Sequence, residues 1–168
     1  PDKTKWFQQQ YLKVKSNEEL ASILVDKIDN NISQNKLESI CSLMKERATF
    51  PEDILRDGHY LIETPTSYDL KMISKKWKSN TNEIMENWKI KLNQLETFDA
   101  NSIETCFKEF LASNELGFGA VLLPFRILTT GVGAGPGMFD IAAFLGKEEV
   151  LSRIENGLIN IAKLQHEV

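Results

Sequence analysis

Two histidines, two cysteines and several acidic pairs are the side chains that could move protons, attack a carbonyl or hold a metal. Their spacing points to none of these. His59 and His166 stand too far apart to mark a site together, and His166 falls in a C-terminal tail of the kind that frays. Cys41 and Cys106 lack metal-ligand spacing and sit inside helical patterns, as reduced, buried thiols of a cytosolic protein do. No cysteine or serine has a visible base partner. Glu18-Glu19 and Glu148-Glu149 open helical patterns, where carboxylates complement the macrodipole. The expectation is no catalytic residue, no metal ligand and no cofactor for this chain itself.

Recognition is the chemistry that remains. From 131 to 137 every second residue is glycine, with Pro136 among them. An apolar run ending in Phe125-Arg126 and a Thr129-Thr130-Gly131 corner lead into this loop. Glycine lets a second backbone or a ligand come close. One arginine at the entrance suits a flat or anionic partner. A tight connection between two packed helices is the structural alternative. A dinucleotide site does not fit, because the glycines follow no strand pattern and there is no Walker loop.

The elements that must position these residues read as helices throughout. Residues 4–14 place Trp6, Phe7, Gln10, Tyr11 and Val14 near one face. Ser16 to Glu19 forms a capping box and starts a helix to about residue 29, with Leu20, Ile23, Leu24 and Ile28 inward and Asn30-Asn31 as its break. Leu37, Ile40, Cys41 and Met44 line one side of 36–48. Pro51 marks the first turn of the next helix. From Ser67 a helix carries Tyr68, Leu70, Met72, Ile73 and Trp77, and 81–96 carries Ile84, Met85, Trp88, Leu92 and Leu95 as core.

Asp99-Ala100-Asn101-Ser102 is the strongest punctuation mark and the expected domain boundary. Beyond it, Ile103, Phe107, Phe110 and Leu111 share a helix side. The apolar helix 119–128 is expected to be interrupted at Pro124. Pro136 is expected as the first residue of a helix closed by Gly146, and a last helix runs from Lys147 to Leu164. The predicted fold is all-α: two consecutive helical bundles, 1–98 and 99–168, with antiparallel neighbours.

The 168 residues are 42% hydrophobic and 26% charged, a globular composition. No apolar run is long enough to span a bilayer, and the opening PDKTKWFQQQ is too polar for a signal peptide. A start on Pro1, without an initiator methionine, leads us to expect a piece of a longer protein. The net charge of −4, from 20 basic and 24 acidic residues, speaks against a non-specific nucleic-acid binder but leaves room for a local basic face.

The run RILTTG, then GPGMFD, then FLGKEEVLSRI resembles the C-terminal anticodon-binding region of bacterial-type glutamyl-tRNA synthetases. Arg126, Thr130, Gly131, Pro136, Gly137, Phe139, Leu145, Gly146, Lys147, Glu148 and Arg153 fall in that family's order and spacing. The Trp6-to-Leu12 stretch resembles the helix leading out of the family's catalytic half, with Gln8 at the usual asparagine. In KERATFPEDI, Arg47, Asp53 and Ile54 match, while Phe50 and Pro51 depart. Lys71-Met72-Ile73-Ser74-Lys75-Lys76 superficially resembles the Lys-Met-Ser-Lys loop of class I synthetases. The inserted isoleucine and the helical pattern exclude that reading. Lys71, Lys75, Lys76 and Lys78 are read as a solvated face with a secondary role at phosphates.

The resemblance implies a partner and a site. The partner is the anticodon stem-loop of tRNA(Glu). Arg126, Gly135, Pro136 and Met138 match positions at the first and middle anticodon bases, with Thr130 in the adjoining corner and Arg47 near the third base. Gly135 stands where a small hydroxyl residue is usual, so any contact there is through the backbone. The resemblance further implies a cytoplasmic, monomeric ligase of glutamate to tRNA. Its upstream catalytic domain would use ATP and Mg²⁺, and this piece alone would be inactive. The competing reading is a helical protein–protein interaction module without an RNA role. A buried glycine loop and an Arg126 held in a structural ion pair would favour it.

Overall fold

The computed structural model describes residues 2–29 and 31–166, without the His166 side chain. Pro1, Asn30 of the expected Asn30-Asn31 break and the His166 side chain therefore lie outside the described residues. The fold is all-α, with ten helices and no strand among the described residues. The chain divides into two compact units, residues 1–63 and 64–168.

In the first unit, α1 (Asp2–Val14) is followed by α2 (Asn17–Leu24), α3 (Gln34–Met44) and α4 (Pro51–Asp57). The Ser16 hydroxyl accepts the Glu19 N–H at 3.0 Å, as the capping-box pattern predicts, and Ser33 accepts from Lys36 to start α3. The helix from Ser16 is shorter than expected: it passes into a 3₁₀ turn at Val25–Lys27, and Ile23 is left exposed. Leu20, Leu24, Leu37, Ile40, Cys41, Met44 and Ile54 form the core of this unit. On α1 only Leu12 is buried; Trp6, Phe7, Tyr11 and Val14 are exposed, Val14 by 81%.

The second unit contains α5 (Leu70–Lys76), α6 (Thr81–Asn93), α7 (Ala100–Asn114), α8 (Phe118–Thr130), α9 (Met138–Leu145) and α10 (Lys147–His166). Its centre is Trp88, fully buried on α6. The Phe107, Phe110 and Phe125 rings lie 5.3–5.5 Å from it, and Phe107 also meets Phe118 and Phe139. Aromatic pairs of this geometry each add ~0.5–1.5 kcal/mol beyond area burial.

That cluster corrects the boundary expected at 98/99. Asp99 is a helix cap, its carboxylate accepting the Ser102 N–H at 2.7 Å. Trp88 before it and Phe107 and Phe110 after it share one core, and Lys147 Nζ donates to the Leu95 carbonyl at 2.8 Å. The division falls instead between Glu63 and Thr64, ahead of the Pro65 turn.

Helix expectations in this unit also change: α5 leaves Tyr68 and Trp77 outside it, and α6 ends at Asn93. α8 runs unbroken through Pro124. α9 starts at Met138 with Gly137 as its N-cap, which places Pro136 just outside the helix. Gly146, at φ 86°, ends α9 as expected.

Candidate nucleic-acid interface

The glycine loop is held open by its own ends. Gly131 closes α8 in the left-handed region, at φ 81°. A Cβ there would lie 2.5 Å from the Ser67 carbonyl oxygen, so this position needs glycine twice over. Gly131 also accepts the Asp69 N–H at 2.9 Å, tying the loop to the start of α5. Gly133 and Gly137 do not take the left-handed conformation; at Gly133 a Cβ would press on Met72 at 3.2 Å.

Arg126 is half-buried on α8, and its Nη1 donates to the Pro136 carbonyl at 2.8 Å. The arginine thus spans the loop from entrance to exit. The Thr130 hydroxyl lies 2.7 Å from the Arg126 carbonyl and accepts the Val132 N–H at 3.2 Å. Thr130 is buried and acts on the loop's shape. Met138 is only 2% exposed, with its sulfur 3.7 Å from the Thr129 hydroxyl. Its thioether is therefore a core group, and the residue as a whole, backbone included, is closed to solvent. Gly135 and Pro136 are half-buried, and Val132, Ala134 and Gly137 are exposed. The protein-interaction reading asked for a buried loop and an Arg126 held in an ion pair; beyond the buried Gly131, the residues of this loop are exposed or half-buried.

Arg153 is the functional-motif residue whose structural part went unforeseen. It is 3% exposed, yet charged. Its Nε donates to Glu149 and its Nη1 to the Thr129 carbonyl, both at 2.8 Å. It satisfies one of the carbonyls that the end of α8 leaves open, and so anchors the corner under Arg126. The helical spacing Glu149–Arg153 was a visible signal for the ion pair, though not for its burial.

Arg47 belongs to the first unit and ends a 3₁₀ turn, Lys45–Arg47. It is exposed, with no ion pair or side-chain hydrogen bond among the described residues. The chain after it is fixed by Asp53, whose Oδ2 accepts the Thr49 and Phe50 N–H groups at 3.0 and 2.9 Å and whose Oδ1 meets Arg56 at 2.9 Å. Desolvation pushes the Asp53 carboxyl upward, but those N–H donors and Arg56 outweigh it and hold the acid below its ordinary range. Burial raises the Cys41 thiol to about 11 and also raises Cys106, so both stay protonated and unreactive at neutral pH.

No group of three or more His, Cys, Asp or Glu side chains among the described residues could hold a metal. No described helix is long and apolar enough to cross a membrane.

Comparison with known proteins identifies the family. The family model "Anticodon binding domain" matches residues 8–158. A glutamate–tRNA ligase of Christiangramia forsetii is 36% identical over 165 residues, which is 94% of this chain and 32% of the relative. One from Flavobacterium johnsoniae is 38% identical over 161 residues, again 94% of this chain and 32% of the relative. The chain thus spans about a third of the length of the curated relatives it matches. The crystal structure of a glutamate tRNA ligase from Elizabethkingia meningosepticum, in complex with its amino acid, superposes with a TM-score of 0.83 at 35% identity, covering 92% of this chain and 31% of that one.

Proposed function

Since this chain belongs to the anticodon-binding domain family, we propose that it is the anticodon-gripping part of a glutamate–tRNA ligase and that its partner is the anticodon stem-loop of tRNA(Glu). Sequence-specific recognition of RNA mostly targets unstacked bases in loops. The observation that carries the reading is the Arg126–Pro136 bridge. It holds a solvent-facing loop of small residues beside a guanidinium. Arg126, Gly135 and Pro136 serve the first and middle anticodon bases, with Met138 packed beneath them. Thr130 sets the corner, and Arg47 serves the third base.

The whole protein, on this reading, is a cytoplasmic monomer. It activates glutamate with ATP and Mg²⁺ in a catalytic domain upstream and esterifies it to the tRNA. This chain couples amino-acid identity to codon identity and has no ligase activity alone.

The test is binding of the tRNA(Glu) anticodon stem-loop in moderate salt, against a stem-loop with a changed third anticodon base. The cognate loop is expected to bind more tightly. Equal, weak binding to both rejects the reading.

A further inference from the structure

A hollow in the 64–168 unit is lined in part by Lys76 and Lys78, read above as a solvated face with a role at phosphates. It is a partly open hollow of about 470 Å³ between the α5–α6 turn and the first half of α8. That is within the size range of small-ligand sites. Ile84, Leu116 and Leu123 supply apolar wall, and Gly119 leaves the floor open. Lys76 and Lys78 stand at the polar side, both exposed and without an ion pair among the described residues. No carboxylate lines the hollow.

Thr81 adds a sharper signal. It is 3% exposed and lines the same space. Its oxygen accepts the Lys78 N–H at 2.8 Å, but its own hydroxyl proton meets no acceptor among the described residues. That proton is free to turn toward a ligand in the hollow. The site therefore combines cationic and hydroxyl donors with an apolar wall.

We propose that this hollow binds a nucleotide, with its base against Ile84 and Leu123 and its phosphate on Lys76, Lys78 and the Thr81 hydroxyl. Gly119, Leu123 and Arg126 recur at helical spacing on α8, so Leu123, the wall nearest the loop, lies about one turn, ~5 Å, from its arginine. That proximity favours a nucleotide of the same RNA strand, and to that extent the inference rests on the anticodon reading. A free mononucleotide has the same chemistry.

The test follows amide shifts of the 168-residue protein during titration with CMP, UMP, AMP, GMP, inorganic phosphate and a single-stranded tetraribonucleotide. Shifts at Thr81, Gly119 and Ala120 are expected with nucleotides. A tighter tetranucleotide identifies a strand as the source, and equal affinity identifies free nucleotide. A Cβ at Gly119 meets nothing within 4 Å, so Gly119→Leu fills the hollow without strain and should weaken binding about ten-fold or more. Lys76→Gln with Lys78→Gln should weaken it as well.

The proposal falls if no nucleotide moves those amides, if inorganic phosphate binds as tightly as the nucleotides, or if Gly119→Leu binds like the parent. Loss of anticodon discrimination would not bring it down while mononucleotides still bind here. A failed hollow, in turn, leaves discrimination at the loop untouched.

Discussion

Arg126 and Arg47 carry the same guanidinium into opposite circumstances. Arg126 is gripped at both ends: its side chain by the Pro136 carbonyl, its own carbonyl by Thr130. Beneath it the buried Arg153 pins Thr129. Arg47 ends a short 3₁₀ turn, exposed and unpaired among the described residues. Ordering a long side chain on binding costs ~0.5–1.5 kcal/mol. Arg126 meets most of that cost in folding, whereas Arg47 would meet it only on the proposed contact with RNA. The held arginine is suited to supply affinity, and the loose one to penalise a wrong base.

The hardest way to break this contrast is to undo the support under Arg126. Arg153→Ala removes a buried charge from Glu149 and leaves the Thr129 carbonyl open, and should cost the 64–168 unit about 3 kcal/mol. Amide exchange resolves the two units separately. Faster exchange along α8 and α10, with residues 2–63 unaffected, is the expected result. Unaltered exchange in α8 would mean the corner does not depend on Arg153.

Removing the held arginine itself comes next. Arg126→Ala should weaken stem-loop binding by ~1–3 kcal/mol, the usual worth of a specific base contact. Arg126→Lys keeps the charge but loses the planar fork, and should recover little. Unchanged affinity in a folded Arg126→Ala protein takes Arg126 out of the interface.

In the first unit the comparable support is Asp53, and its effect is smaller. Asp53→Asn should destabilise residues 2–63 by ~1–2 kcal/mol, as loss of a helix-start carboxylate does. The pH dependence follows from its lowered folded value. The acid is charged in both states above the unfolded value near ~3.9, and there its contribution is complete. It is lost as pH falls from that value through the folded one. The wild type should therefore lose first-unit protection in that window, and Asp53→Asn should lack that component.

How much of this could be read from residue order depends on whether the signal is local. The α3 face Leu37, Ile40, Cys41 and Met44 is wholly buried, because a 3.6 period of apolar residues specifies a face by itself. The same kind of stripe on α1 came out exposed at Trp6, Phe7, Tyr11 and Val14: periodicity says a face is apolar, not what covers it. Asp99 signals a helix start equally well inside a unit or between two. The Trp88 cluster that decides the matter joins residues far apart in sequence. Of the candidate site, the glycines, Arg126 and the Thr130 corner were legible as a motif. The burial of Met138 and Arg153 was not, since it depends on how α8, α9 and α10 stack.

The finest test bears on the loose arginine. Arg47→Gln removes a solvated charge that touches nothing else, so the fold should be unmoved, within the ~0.5 kcal/mol usual for surface changes. Affinity for the cognate stem-loop should fall only slightly, because the ordering cost of Arg47 offsets much of its contact. Discrimination should fall more: a glutamine can still donate to several base edges, but it lacks the charge and fork that favour one. Binding curves for cognate and third-base-changed stem-loops, measured with Arg47→Gln and Arg126→Ala in parallel, separate the two roles. The expected pattern is a narrowed gap between the stem-loops for Arg47→Gln and a common downward shift for Arg126→Ala. A gap as wide as the wild type's in Arg47→Gln assigns the third base to another side chain and reduces Arg47 to a solvated helix end.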